Sequence, residues 1–286
     1  MSANAINGFA IANGQWINQE QTNPITIVVL NLMPNKAETE CQFLASFAKL
    51  AQDVEITFAY PVSHHFKSVN QNTVANHYAC LAEIEHRHFD GLIITGAPVE
   101  TLGFEQVDYW QEFCAFCRWA TTHTRASLVE CWAALGGLYH DYGINKHRLN
   151  HKLFGVYQAT KLDASSPLVD HFATSQFQIP QSRHSTCNCS LNDVPTGVKV
   201  VANNQAIGPL ILQAPALHRT YITGHPEYSK DTLAKEYQRD LKKHLPIEAP
   251  CNYFTNDHHI NYSWRFTSEL LYQNWVNTFA PVAVTN

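Results

Sequence analysis

Cys131 stands where a β-prone run, "SLVE", gives way at once to small and apolar residues at helical spacing, "WAALGGLYHDYG". At a strand-to-helix junction a cysteine sits near the first unpaired amides of the helix, whose partial positive charge favours thiolate over thiol. The same amides can hold the oxyanion of a carbonyl under attack. Further along, "TGHPEY" sets His225 and Glu227 two residues apart after another strand-like run. The three side chains could form a Cys-His-acid triad, in which the imidazole takes the thiol proton and the carboxylate orients the ring. The competing reading of Cys131 is a core thiol, because cysteine is among the most buried residue types. Spacing alone leaves both open.

The surrounding pattern supplies the elements that would position these groups. After a polar N-terminal arm over residues 1–24, "ITIVVLNL" is a nearly continuous β-branched and apolar run, as in a strand buried on both faces. Asn35 and Glu38 stand where an N-cap and its capping-box partner would, ahead of apolar residues at three- and four-residue steps from Ala37 to Ala51. "VEITFAY", "GLIITG" and "ASLVE" read as further strands, with a long amphipathic helix in "FEQVDYWQEFCAFCRWATTH". Strands alternating with helices predict an α/β layered fold with a parallel sheet. Beyond Tyr142, "KLFGVYQA", "GVKVVAN", "PLILQAP" and "RTYITG" are short strand-like pieces, which predict a more antiparallel extension of the same sheet. Two late helices are expected around "KDTLAKEYQRDLKKH" and "RFTSELLYQNWVNTF". No repeat or linker interrupts residues 25–286, so one domain is expected there. In such sheets the reactive crevice lies outside the carboxyl ends of the strands, where Gly96–Ala97–Pro98, Cys131 and His225 with Glu227 all fall.

Composition narrows the function classes. The chain has 286 residues, 45% of them hydrophobic, enough for a sizeable core. A net charge of −5 with scattered Lys and Arg leaves no footprint for a nucleic-acid partner. The opening lacks a basic segment followed by an apolar core, and no apolar run approaches the roughly 20 residues that span a bilayer, so a cytoplasmic location away from membranes is expected. Eight dilute, irregularly spaced cysteines do not resemble a disulfide framework. "CAFC" has the spacing of half a zinc site but lacks a matching second pair. "CNC", His64–His65 and His258–His259 form no familiar ligand spacing, so no metal is expected. "GAPVETLGF" has too few glycines to cradle phosphates.

Eight stretches, "LNLMPNKAETE", "GLIITGAPVE", "VDYW", "ECWAALGGLYHDYGI", "SRH", "TGHPEY", "EYQRD" and "NYF", occur in an order and spacing that resembles the homoserine O-acyltransferases of bacterial methionine biosynthesis, from about Ile25 to about Phe279. The resemblance implies a class I glutamine amidotransferase-like, flavodoxin-like layered sheet. It further implies that Cys131 takes an acyl group from acyl-CoA and passes it to an amino-acid hydroxyl, with His225 as general base and Glu227 as its partner. Lys152, Ser182 and Arg239 match the family's substrate-binding positions, Arg239 being the one for the α-carboxylate. Lys36 matches a lysine held over the active site.

Glu100 matches the position that discriminates acyl donors. A carboxylate there would repel the free carboxylate of a succinyl group, favouring acetyl-CoA as the co-substrate, with no other cofactor bound. The family often forms dimers, so a homodimer is possible on the same ground. The chain departs from the family at Gln181, usually histidine, at Leu135, usually glutamine, and at Glu130, usually apolar. Some members of this divergent type resemble serine O-acetyltransferases of cysteine synthesis, which keeps L-serine beside L-homoserine as acceptor. A cysteine amidohydrolase on the same scaffold is the alternative from a different class.

Overall fold

The computed structural model describes residues 2–66 and 69–280. Its strands are β1 (Ala3–Ala5), β2 (Ile25–Leu30), β3 (Val54–Ala59), β4 (Phe89–Ile94), β5 (Thr124–Glu130), β6 (Lys146–Lys161), β7 (Gln176–Cys187), β8 (Lys199–Asn204), β9 (Gly208–Ala214) and β10 (Arg219–Ile222). The helices are α1 (Phe9–Ala12), α2 (Lys36–Phe47), α3 (Gln71–Ala75), α4 (Leu81–Ile84), α5 (Trp110–His123), α6 (Trp132–Tyr142), α7 (Thr232–Lys242) and α8 (Arg265–Asn277). The strands form one ten-stranded sheet in the order β1-β3-β2-β4-β5-β10-β9-β8-β6-β7.

Pairing is parallel from β1 through β5 to β10, then antiparallel from β10 onward. This is the parallel core with an antiparallel extension that the strand runs predict. The central strands are buried on both faces: Ile27, Val29, Ile56 and Ile93 join one apolar cluster with Phe43, Phe47 and Trp275, while Val28, Leu30, Leu92 and Ile94 join the other with Phe113, Phe116 and Trp132. A strand covered on both sides has no reason to alternate polar with apolar, which is why "ITIVVL" reads as a continuous run. No helix of the described residues is long and apolar enough to cross a membrane.

Three local readings differ from the structure. The segment expected as a polar arm includes β1, which pairs with β3, and its polar side chains tie it down, Asn7 exchanging two hydrogen bonds with the backbone of Phe58. β7 is absent from the sequence-based reading because Pro180 and the polar "QSRHST" obscure its alternation. Asn35 precedes α2 without capping it; its amide contacts Glu38 at 3.4 Å instead.

Candidate active site

β5 and β10 lie side by side with Glu130 opposite Ile222, so the residues that follow each strand emerge at the same edge of the sheet. Cys131 comes directly after β5, its amide donating to the Ile222 carbonyl at 2.8 Å. Its backbone has φ 50° and ψ −116°, a sparsely populated conformation whose strain is about 1–3 kcal/mol. The turn is therefore sharp: strand on one side, α6 on the other, and the cysteine at the apex. Ala134 makes the first α6 bond back to the Cys131 carbonyl, which leaves the amides of Trp132 and Ala133 ahead of the helical ladder, the donors expected for an oxyanion.

Gly96, just past β4, closes the other side. A Cβ built there would lie 3.0 Å from Cys131 Cβ and 3.1 Å from His225 Cε1. Only a glycine lets the "GAP" backbone come this near to both groups without displacing one of them. His225 follows β10, is buried, and places Nδ1 2.7 Å from Oε1 of the equally buried Glu227. Burial alone would lower the His225 pKa, but the charges of Cys131 and Glu227, with hydrogen bonds to both, raise it well above the ordinary value. Cys131 and His225 both border Gly96 and Glu227 bonds the imidazole, so the three candidates lie together, in an environment that favours the imidazolium form of His225.

β7 curls over this edge. The amide of His225 donates to the Pro180 carbonyl at 3.0 Å, and the Ser182 carbonyl lies 4.0 Å from Cys131 Sγ. The Ser182 hydroxyl donates to Glu236 at 2.6 Å. Lys152 reaches the same carboxylate at 3.3 Å and Asp240 at 3.2 Å, with its ammonium 4.2 Å from the centre of the Phe154 ring. Arg239, half exposed, holds Asp240 at 2.7 Å and approaches Glu236 at 3.9 Å. The three substrate-binding candidates therefore converge on one cluster. Its hub, Glu236, was not among the residues singled out from the sequence, although it lies within "EYQRD". Burial would raise the Glu236 pKa, but Lys152 and the hydroxyls of Ser182 and Tyr228 outweigh it and hold the carboxyl below its usual range.

Glu100 is partly buried and lies against β7: its Oε1 is 3.3 Å from the amide of His184, and its carbonyl accepts from Ser185 and from Lys146. Lys36 opens α2, but its ammonium turns inward, donating to the Asn31 carbonyl at 2.7 Å above the rings of Phe66 and Tyr78. Burial lowers its pKa to about 7 against the opposing pull of Glu40. Its hydrogen bonds place it in the support of the loop after β2, with no bond to the triad among the described residues. Gln181 is a buried strand residue whose Oε1 accepts from Arg183 at 2.8 Å, and Leu135 is a buried apolar residue of α6. Cys114 and Cys117 are core residues of α5, and no group of three or more metal-ligating side chains occurs among the described residues.

A sheet of this topology with a cysteine on a strained strand-to-helix turn and a His-Glu pair beside it defines the class I glutamine amidotransferase-like fold. Solved structures agree: a glutamine amidotransferase from Methylobacillus flagellatus superposes with a TM-score of 0.59 at 12% identity, covering 92% of this chain and 98% of that one. One from Thermotoga maritima gives 0.58 at 10% identity over 90% and 98%. At such identities the likeness is one of fold.

The sequence model of the homoserine O-succinyltransferase family matches residues 4–283. A homoserine O-acetyltransferase of Petrotoga mobilis is 38% identical over 91% of this chain and 85% of its own length, and one of Streptococcus sanguinis is 40% identical over 90% and 83%. The chain belongs to the homoserine O-acyltransferase family and is an acyltransferase of amino-acid biosynthesis.

Proposed function

We propose that this chain transfers an acetyl group from acetyl-CoA to the hydroxyl of L-homoserine through an acetyl-Cys131 thioester. The observation that carries the reading is the adjacency of a buried trio, Cys131–His225–Glu227, and a partly exposed cluster, Lys152–Ser182–Glu236–Arg239, joined through Tyr228. Attack of the Cys131 sulfur on the thioester carbonyl expels CoA thiolate, with the amides of Trp132 and Ala133 at the start of α6 as donors to the developing oxyanion. His225 protonates the departing thiolate and then accepts the proton of the acceptor hydroxyl as it attacks the acetyl-enzyme.

For the acceptor, Arg239 offers a guanidinium to the α-carboxylate and Glu236 a carboxylate to the α-ammonium, which turns the side-chain hydroxyl toward Cys131. Glu100 sets the donor: a second carboxylate brought beside it on a succinyl chain meets like charge in a partly desolvated site. The relatives named as homoserine O-acetyltransferases favour L-homoserine and acetyl as the pair. The test is initial-rate kinetics with acetyl- and succinyl-CoA against L-homoserine and L-serine. The reading expects the highest kcat/KM for acetyl-CoA with L-homoserine; a preference for L-serine would assign the chain to cysteine supply, because one methylene is worth only about 1–3 kcal/mol in such a pocket.

A further inference from the structure

Glu130, the last residue of β5, is fully buried directly before the nucleophile. Tyr272 of α8, also fully buried, donates to its Oε1 at 2.8 Å. The other oxygen, Oε2, has no hydrogen-bond partner among the described residues, and neither has Oε2 of Glu227. Glu227 is the carboxyl neighbour that bears on Glu130, and while both are ionised each is an acceptor only, so neither orphaned oxygen can partner the other without a proton. Two ionised carboxylates held as neighbours repel strongly in a water-poor site, whereas a single proton between them makes a hydrogen bond and leaves one negative charge. Burial first, then the charge of Glu227, raise the Glu130 pKa well above the carboxylate range; Tyr272 and His225 pull the other way without reversing it. Glu227 and His225, from the loop after β10, and Tyr272, from α8, are the titratable groups that bear on it.

We propose that Glu130 is a positioning residue: its protonated carboxyl donates from Oε2 to Oε2 of Glu227, so that Tyr272, Glu130, Glu227 and His225 form one hydrogen-bonded chain. The assignment rests on the triad reading above. Glu227 can turn about its last bond unless both oxygens are held. Oε1 is committed to His225 Nδ1, and Glu130 fixes the second. The imidazole is thereby aimed at Cys131 with its other nitrogen. The hydrogen-bond deficit of both carboxyls is removed by the same proton, at a position where an apolar side chain would leave Glu227 Oε2 and the Tyr272 hydroxyl without partners.

The experiment compares Glu130→Gln, whose amide can donate to Glu227 and accept from Tyr272, with Glu130→Leu, which can do neither. The readouts are kcat, KM for the acceptor, and the pH profile of Cys131 alkylation by iodoacetamide without any acyl donor. E130Q is expected to stay within about threefold of wild type in kcat, and E130L to lose about tenfold to a hundredfold with KM little changed. The E130L alkylation profile should also shift. Infrared spectra at neutral pH should show a protonated carboxyl band in wild type that E130Q lacks. Equal impairment of both variants, a wild-type profile for E130L, or no such band would overturn the assignment. Should E130L fail to fold, Tyr272→Phe carries the test by a smaller shift in the same direction, and an unmoved profile contradicts the chain. Because alkylation needs no acyl donor, a shifted profile in a protein that never forms an acyl-enzyme would reject the thioester reading while still supporting the Glu130 chain.

Discussion

Tyr228 stacks on the imidazole of His225, ring centroids 4.2 Å apart and planes inclined by 20°, and its hydroxyl donates to Glu236 at 2.5 Å. One side chain thus touches the His225 imidazole with its face and the Glu236 cluster with its edge. Stacking of this kind contributes about 0.5–1.5 kcal/mol, and a hydrogen bond to a buried carboxylate about 1.5–3 kcal/mol. Tyr228→Phe keeps the first and removes the second. It should raise KM for the amino acid roughly fivefold or more while changing kcat less. Steady-state kinetics with the acceptor varied check this; an unchanged KM would separate Tyr228 from the acceptor pocket.

The cluster around Glu236 predicts how the acceptor is held. Arg239→Ala and Glu236→Gln should each raise KM for the amino acid by about tenfold or more, with the rate of the first acyl transfer to enzyme preserved. Rapid-quench measurement of CoA release in a single turnover without acceptor separates the two steps. Loss of the CoA burst in Arg239→Ala would move Arg239 out of the acceptor role and into donor binding.

How much of this was legible in the sequence depends on where each group lies. Cys131, His225 and Glu227 follow strands of strong β pattern, so the carboxyl edge that gathers them could be located without coordinates. Ser182 and Lys152 lie on β7 and β6, and their meeting with Glu236 depends on β7 curling back over the sheet edge. No periodicity encodes that curl. Glu236 was hidden for a second reason: beside Lys235 and Arg239 on a polar helix it reads as a solvated charge, and only its burial marks it out. Lys36 shows the converse. Its place at the start of α2 was correct, but the direction of its side chain depends on Asn31, Tyr78 and Glu40, which are distant in pattern and close in space.

Glu100 governs the donor in this account. Replacing it by glycine removes the carboxylate that faces a longer acyl chain, while its backbone contacts with Ser185 and Lys146 do not depend on the side chain. Glu100→Gly is expected to accept succinyl-CoA, with a gain in its kcat/KM of about tenfold or more relative to acetyl-CoA. A variant as strictly acetyl-specific as wild type would argue that shape, and not charge, excludes the larger donor.

Lys36 gives a stability prediction with a definite sign. Its pKa is lowered from 10.5 to about 7 by burial, so between those values the unfolded chain binds a proton that the folded chain does not. Folding stability from this group therefore rises with pH across roughly 7 to 10.5, and the full penalty of burying the charge is present below pH 7. Lys36→Met should exceed wild type in stability by a few kcal/mol near pH 6, a margin that shrinks as pH approaches 10. Urea unfolding of both proteins at several pH values measures the margin; one that stays constant with pH would show that Lys36 is not buried as a strained cation.

The central claim is that Cys131 carries the acyl group. Intact-protein mass spectrometry after mixing with acetyl-CoA alone tests it most directly, followed by peptide mapping and a chase with L-homoserine. The account predicts one acetyl group on the peptide containing Cys131, discharged by L-homoserine and absent in Cys131→Ala. Full turnover by Cys131→Ala, or an acetyl group on any other residue that the acceptor discharges at the rate of turnover, would contradict it.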